Sequence, residues 1–160
     1  MEDLQSVVEF LEQTPEFFRK MAQGCADADL RWKPAGDQFS FVENACHLRD
    51  LEVEGYGARL RKLMTEDGPQ LPDVDGARLA RERDYNSQDF DAALDEFARV
   101  RAENLRAIKN LSPEQLGRTG VLEGVGNITL GKLFLLMREH DEAHRRELVE
   151  LRGRMAGERQ

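Results

Sequence analysis

The chain has 160 residues, 40% of them hydrophobic and 34% charged, with a formal net charge of −8. That length suits a single domain, residues 1–160, large enough to bury a real core. The acidic balance argues against a nucleic-acid backbone or an anionic membrane surface as the main partner, and the short basic run at Arg59, Arg61 and Lys62 is flanked by acidic Glu54, Glu66 and Asp67.

No apolar run approaches the length of about 18 residues that a membrane span needs. The first residues, M-E-D-L-Q-S, lack the basic and apolar regions of a signal peptide. With only Cys25 and Cys46, a disulfide framework is not expected, and the expected compartment is the cytoplasm. Cys46 follows the turn of its helix away from His47 and reads as a core residue rather than a ligand.

Four long amphipathic patterns follow in chain order, and no alternating strand pattern appears among them. The first covers about 2–23, with Leu4, Val8, Leu11, Phe18 and Met21 on one face and Thr14-Pro15 as a kink or break. A loop over 24–39 holds a short turn anchored by Leu30 and Trp32. The second helix opens at Ser40, where Ser40 and Glu43 form a capping box, and continues to about Met64.

A polar linker over 65–86, with Gly68-Pro69, Pro72 and Gly76, is long enough to cross the length of a bundle. It allows the second and third helices to run parallel. The third helix covers about 87–111, with Phe90, Leu94, Phe97, Ile108 and Leu111 inward. Arg101 and Asn104 fall on that same face; they read either as cavity-lining groups for an anionic substrate or as an arginine reaching out to solvent beside a locally bonded asparagine, and the second reading is preferred.

Ser112-Pro113-Glu114 marks a one-turn helix, and the Gly-rich stretch after it leaves Val121 and Leu122 as exposed apolar candidates. The fourth helix is capped by Thr129 and ends near Met155. Its inward positions are Leu130, Leu133, Met137, His140, His144, Leu148, Leu151 and Met155, a three-four alternation typical of a bundle seam. The fold class expected is therefore all-α, a four-helix bundle with a long crossover between helices two and three and no sheet.

His140 and His144 interrupt that apolar seam one helical turn apart, so both imidazoles point the same way into the bundle. Core histidines satisfied by hydrogen bonds are the competing reading. A pair at this spacing can instead grip one divalent cation, completed by a third imidazole, and His47 is the only other histidine in the chain. His47 sits at the polar border of its own stripe, so such a site would be open to solvent on one side, as catalytic sites are.

Two other metal motifs fail. H-D-E-A-H has Asp141 where a metalloprotease needs its glutamate base, and too few residues follow to supply a third ligand. A di-iron bundle needs Glu three residues before each ligand histidine, but Asn44 and Asp141 stand there. On the helical wheel Asp141 and Glu52 are assigned away from the site, Asp141 to the surface. Glu43, one turn from His47, caps the helix and is also a candidate to orient that imidazole.

The segment F-S-F-V-E-N-A-C-H-L-R-D-L-E, preceded by D-L-R-W-K-P and followed about 90 residues later by H-D-E-A-H, resembles the DinB/YfiT-like superfamily of metalloenzymes along the whole chain. Phe39 stands where many members carry tryptophan. The resemblance implies a four-helix bundle with a long crossover, a divalent metal held by His47, His140 and His144, and a homodimer. Imidazole suits several metals, with zinc or nickel expected first and iron or manganese also admissible.

Relatives in that superfamily include bacillithiol S-transferases and mycothiol-dependent maleylpyruvate isomerases. By analogy the chain is expected to transfer a low-molecular-weight thiol to an electrophilic small molecule. A metal-dependent hydrolase and a non-catalytic metal-binding stress protein remain alternatives. No residue in the sequence identifies itself as a general base.

Overall fold

A computed structural model describes residues 3–158. Asp3 starts α1 (Leu4–Ala22) by accepting a hydrogen bond from the Ser6 amide. The helix runs through Pro15 without a break. Proline has no N–H for the carbonyl one turn back, so the Leu11 carbonyl loses its helical partner. Arg101 Nη1 donates to that oxygen at 2.9 Å, which removes the penalty of an orphaned buried carbonyl.

The loop after α1 contains α2 (Asp27–Arg31), and Leu30 and Trp32 pack against the core as expected. Ser40 then caps α3 (Phe41–Asp50): its hydroxyl accepts from the Glu43 amide, and Glu43 Oε1 accepts from the Ser40 amide. The helix widens into a π-helical stretch (Leu51–Gly57) and narrows again into α4 (Ala58–Thr65). The crossover that follows carries β1 (Gln70–Leu71), α5 (Gly76–Glu82) and a 3₁₀ turn at Tyr85–Ser87. Then come α6 (Phe90–Lys109), α7 (Pro113–Leu116), β2 (Thr119–Leu122), β3 (Gly126–Thr129) and α8 (Leu130–Glu158).

Contacts give the helix directions. Phe41 packs on Phe90 while Glu52 meets Arg101, so α3 and α6 run parallel, joined by the long crossover. Arg19 meets Asp95 while Leu11 meets Arg101, so α1 opposes α6. Asn44 meets His144 and Tyr56 meets His140, so α3 also opposes α8.

One expectation fails here: the chain is not free of strands. The Gly-rich segment before α8 folds into a β2–β3 hairpin, and β1 adds to it in parallel, with Leu71 beside Leu122. Gly124 and Gly126 turn the hairpin at φ of 80° and 107°, conformations a side chain would strain. Strands of two and four residues are too short to show alternation in sequence. Leu122 is buried in this sheet's packing rather than exposed, and Val121 is half-buried. Neither supplies the apolar surface once expected of them.

The core divides into two apolar clusters. One contains Leu11, Leu51, Leu105 and Met137; the other contains Phe18, Leu48, Phe97 and Leu148. Between them every long helix contributes polar groups at the same level: Thr14 from α1, Glu52 from the π stretch, Arg101 and Asn104 from α6, and His140, Asp141 and His144 from α8. This mid-bundle polar layer positions the site.

Candidate metal centre

The part of the polar layer between α3 and α8 holds all three histidines. His140 Nε2 lies 3.2 Å from His47 Nε2 and 3.1 Å from His144 Nε2. A zinc-sized cation with bonds of about 2.0–2.1 Å and tetrahedral angles would set its nitrogens about 3.3 Å apart. Both separations match that spacing, and the ligand atoms of all three imidazoles lie within 4.8 Å of one another, close enough to share a cation; all three rings are half-buried.

Charge points the same way. Burial, reinforced by His144 and only partly opposed by Asp50, pushes His47 down to about 3. Burial, then the neighbouring histidines and the Arg101 and Arg59 charges, pushes His140 down to about 2. Both rings are therefore neutral and keep a lone pair available near neutral pH. His140 Nδ1 is buried with no partner among the described residues. Three imidazoles meeting head to head suit a cation better than mutual hydrogen bonding, since a single nitrogen, His140 Nε2, faces both of the others.

His144 has its own support. Its Nδ1 lies 2.7 Å from Asn44 Oδ1 and 3.0 Å from Glu147 Oε2, two acceptors that place the ring proton on Nδ1 and leave Nε2 free. His47 is packed between the Phe39 ring, 5.4 Å away, and the backbone of Gly76. A Cβ at Gly76 would meet the imidazole at 2.7 Å, so the crossover can approach this closely only through a glycine.

The π stretch brings in a residue that the sequence reading missed. Nine residues of unbroken α-helix turn through about 900°, which would set Tyr56 opposite His47. The wider π turns absorb part of that rotation, and the Tyr56 ring meets His140 edge-on at 5.9 Å. Asn104 Nδ2 donates to the Glu52 carbonyl inside this stretch. Gly57 allows that approach, since a Cβ there would lie 2.7 Å from the same oxygen. The signal available in sequence was the Gly55-Tyr56-Gly57 triplet inside a helical pattern.

Other expectations are corrected. Asp141 is fully buried, not on the surface. It lies one turn beyond Met137, within a buried arc broader than the seam, because α8 packs against α1 as well as α3. There it takes a hydrogen bond from Thr14 Oγ1 at 2.6 Å and a two-pronged ion pair from Arg101 at 2.7 and 3.0 Å. Arg101 does not reach solvent; it is 2% exposed and also pairs with Glu52 at 2.9 Å.

Asn104 bonds Glu52 rather than lining the site. Glu43 is engaged by its cap and by Lys33 at 2.9 Å and does not orient His47. Cys46 is a core residue whose thiol burial pushes up to about 11.

A cavity of about 470 Å³ opens beside His140, walled by Tyr56, Arg59, Leu122 and Leu136, with Asp73, Glu123 and Glu139 also lining it. Of the three histidines, His140 lines it.

A helical bundle with a polar mid-layer and three convergent imidazoles defines a class of proteins able to hold a divalent cation at the bundle centre. The chain belongs to the DinB superfamily, whose sequence profile matches residues 11–148 and so spans all three histidines. Among solved structures it is similar to YfiT from Bacillus subtilis, described as a probable metal-dependent hydrolase with an unusual four-helix bundle topology. The TM-score is 0.86, at 20% identity, over 95% of this chain and 87% of that one. At that identity the likeness is one of fold. No curated protein sequence matches the chain. No helix among the described residues is long and apolar enough to cross a membrane.

Proposed function

We propose that the chain is a metal-dependent enzyme acting on a small molecule, with His47, His140 and His144 holding one divalent cation, zinc or nickel. The observation that carries this reading is the convergence of three Nε2 atoms beside a cavity, with no fourth histidine, cysteine or carboxylate joining the cluster among the described residues. Three protein ligands and an open side are the arrangement of catalytic rather than structural sites. A cation bound there would let a thiol or a water molecule ionise near neutral pH.

The chain's own groups then have defined tasks. Asn44 and Glu147 hold the His144 proton on Nδ1. Burial raises the Tyr56 hydroxyl well above its usual range, so it stays protonated and acts as a donor to developing negative charge, not as a base. Phe39 and Leu136 present apolar surface at the cluster and the cavity, which limits water.

We infer that the nucleophile is a low-molecular-weight thiol delivered to an electrophile. Most carboxylates near the histidines in sequence are engaged: Glu43 by Ser40 and Lys33, Asp50 by Arg49, Arg83 and Tyr85, Asp141 by Thr14 and Arg101, Glu147 by His144. A thiol, with a free pKa of about 8.5, needs no strong base beside the cation, whereas water at about 15.7 gains more from one.

Hydrolysis is the second reading, favoured by one observation: exposed Glu139 lines the same cavity and could take a proton from water. The description of YfiT as a probable metal-dependent hydrolase lends it support.

The test is to assay zinc- and nickel-loaded protein against panels of thiols with electrophiles, and of esters and amides, with His140→Ala as control and Glu139→Gln as discriminator. Thiol conjugation that survives Glu139→Gln and disappears in His140→Ala supports transfer. Hydrolysis lost in both variants supports the second reading. Absence of turnover, with chelation only lowering the melting temperature, makes this a metal-binding protein without catalysis, the stress-protein alternative. A cytoplasmic homodimer completes the proposal, resting on the family resemblance; light scattering that shows only an 18.3 kDa species would overturn the dimer.

A further inference from the structure

Arg59 is 6% exposed and lines the cavity beside His140. Its Nη2 donates to the Pro72 carbonyl at 3.2 Å, and its guanidinium lies 5.4 Å from the Tyr56 ring centre. Its nearest carboxylate is exposed Asp73 at 3.8 Å, beyond hydrogen-bond range. Its Nε is buried and has no partner among the described residues. Arg101, the other deeply buried arginine, also leaves its Nε without a partner but differs in charge: two buried carboxylates compensate it at 2.7 and 2.9 Å. A buried cation with an unsatisfied N–H at a cavity wall calls for an anion from outside.

The geometry points to Arg59 as the binding group for a carboxylate on the small-molecule substrate, held in the cavity between the π stretch and the β2–β3 turn. A planar carboxylate matches the edge of a guanidinium, where Nε donates to one oxygen. Tyr56 lines the same cavity and brings its hydroxyl as a further donor. Asp73, Glu123 and Glu139 around the opening are exposed and repel a doubly charged phosphate more than a singly charged carboxylate. The inference rests on the reading of His140 as part of a substrate-facing centre, since that reading makes the cavity a substrate site.

The test follows the Arg59 Nε–H resonance by NMR in protein labelled with nitrogen-15, titrated with benzoate, with neutral benzamide and with inorganic phosphate, in zinc-loaded and chelator-treated samples. Benzoate should shift the resonance saturably in both samples, benzamide should leave it in place, and phosphate should bind more weakly. Arg59→Gln should weaken benzoate binding, followed on the remaining cavity resonances, by about tenfold or more. Arg59→Lys, which keeps the charge without the fork, should fall between.

No response to benzoate, or an equal response to benzamide, would overturn the assignment. Tighter binding of phosphate would overturn the carboxylate class. Zinc content measured on the same samples separates the two readings: loss of the metal reading leaves the chelator-treated titration intact, while unchanged zinc with no benzoate response removes Arg59 alone.

Discussion

Asn44 Oδ1 lies 2.7 Å from His144 Nδ1, while the amide nitrogen of the same side chain donates to the Ser40 carbonyl at 2.9 Å. The second bond orients the first, because Nδ2 needs an acceptor and finds it in the helix cap. Asn44 is thus held with its oxygen toward the imidazole, and His144 keeps its proton on Nδ1 and its lone pair on Nε2. Asn44→Ala should lower affinity for zinc about 10–100-fold. Competition with a chromophoric chelator measures it, and an unchanged affinity would remove Asn44 from the site.

Metal content should depend on the three histidines and not on their neighbours. Untagged protein should carry about one zinc or nickel per chain, and His47→Ala, His140→Ala and His144→Ala should each carry far less. Elemental analysis decides it. Equal content in all four proteins would place the metal elsewhere. The same variants should lose the rise in melting temperature that added zinc produces in the parent protein.

The depressed pKa values of His47 and His140 set the pH dependence of stability. Both lie below the unfolded value of about 6.5, so below that pH the unfolded chain binds more protons than the folded one. Their contribution is therefore complete above about pH 6.5 and is lost as pH falls toward 3, by up to about 1.4 kcal/mol per pH unit for each ring. A bound cation steepens the loss, since protons compete for the same nitrogens. Urea midpoints of chelator-treated protein between pH 7 and 5 test the sign; a midpoint that rises on acidification would contradict it.

Arg101→Met should be the most damaging single change away from the histidines. It strands Glu52 and Asp141 in the core and leaves the Leu11 carbonyl, already deprived of a helical donor by Pro15, without a partner. A loss of about 3–5 kcal/mol is expected from breaking such a buried pair. Denaturant unfolding reads it directly. Replacing Glu52, Arg101 and Asp141 together with apolar residues should recover much of the loss, because no charge is then left uncompensated. A single variant as stable as the parent would refute the network's role.

Much of the bundle was legible because its elements are marked locally. Ser40 and Glu43 announce the start of α3, Ser112-Pro113 the start of α7 and Thr129 the start of α8. Such caps act over three residues and need no tertiary partner. The pairing of Arg101 with Glu52 and Asp141 was not legible, because the partners lie 49 and 40 residues away. A helical wheel says which face a residue occupies, not how many neighbours that face will meet. The sheet escaped for a similar reason: Gln70 and Leu71 become a strand only because the crossover lays them beside Val121 and Leu122.

What sequence alone determined was therefore the set of periodic quantities. Four apolar stripes require a bundle, and the one-turn spacing of His140 and His144 on such a stripe aims both imidazoles inward whatever surrounds them. Only the tertiary structure decided where His47 meets them, that Asn44 rather than Glu43 orients one of the imidazoles, and that Tyr56 and Arg59 line the cavity. Each of those depends on packing between helices far apart in the chain, or on the π stretch between Leu51 and Gly57, where the local period departs from the 3.6 residues per turn on which sequence reading relies.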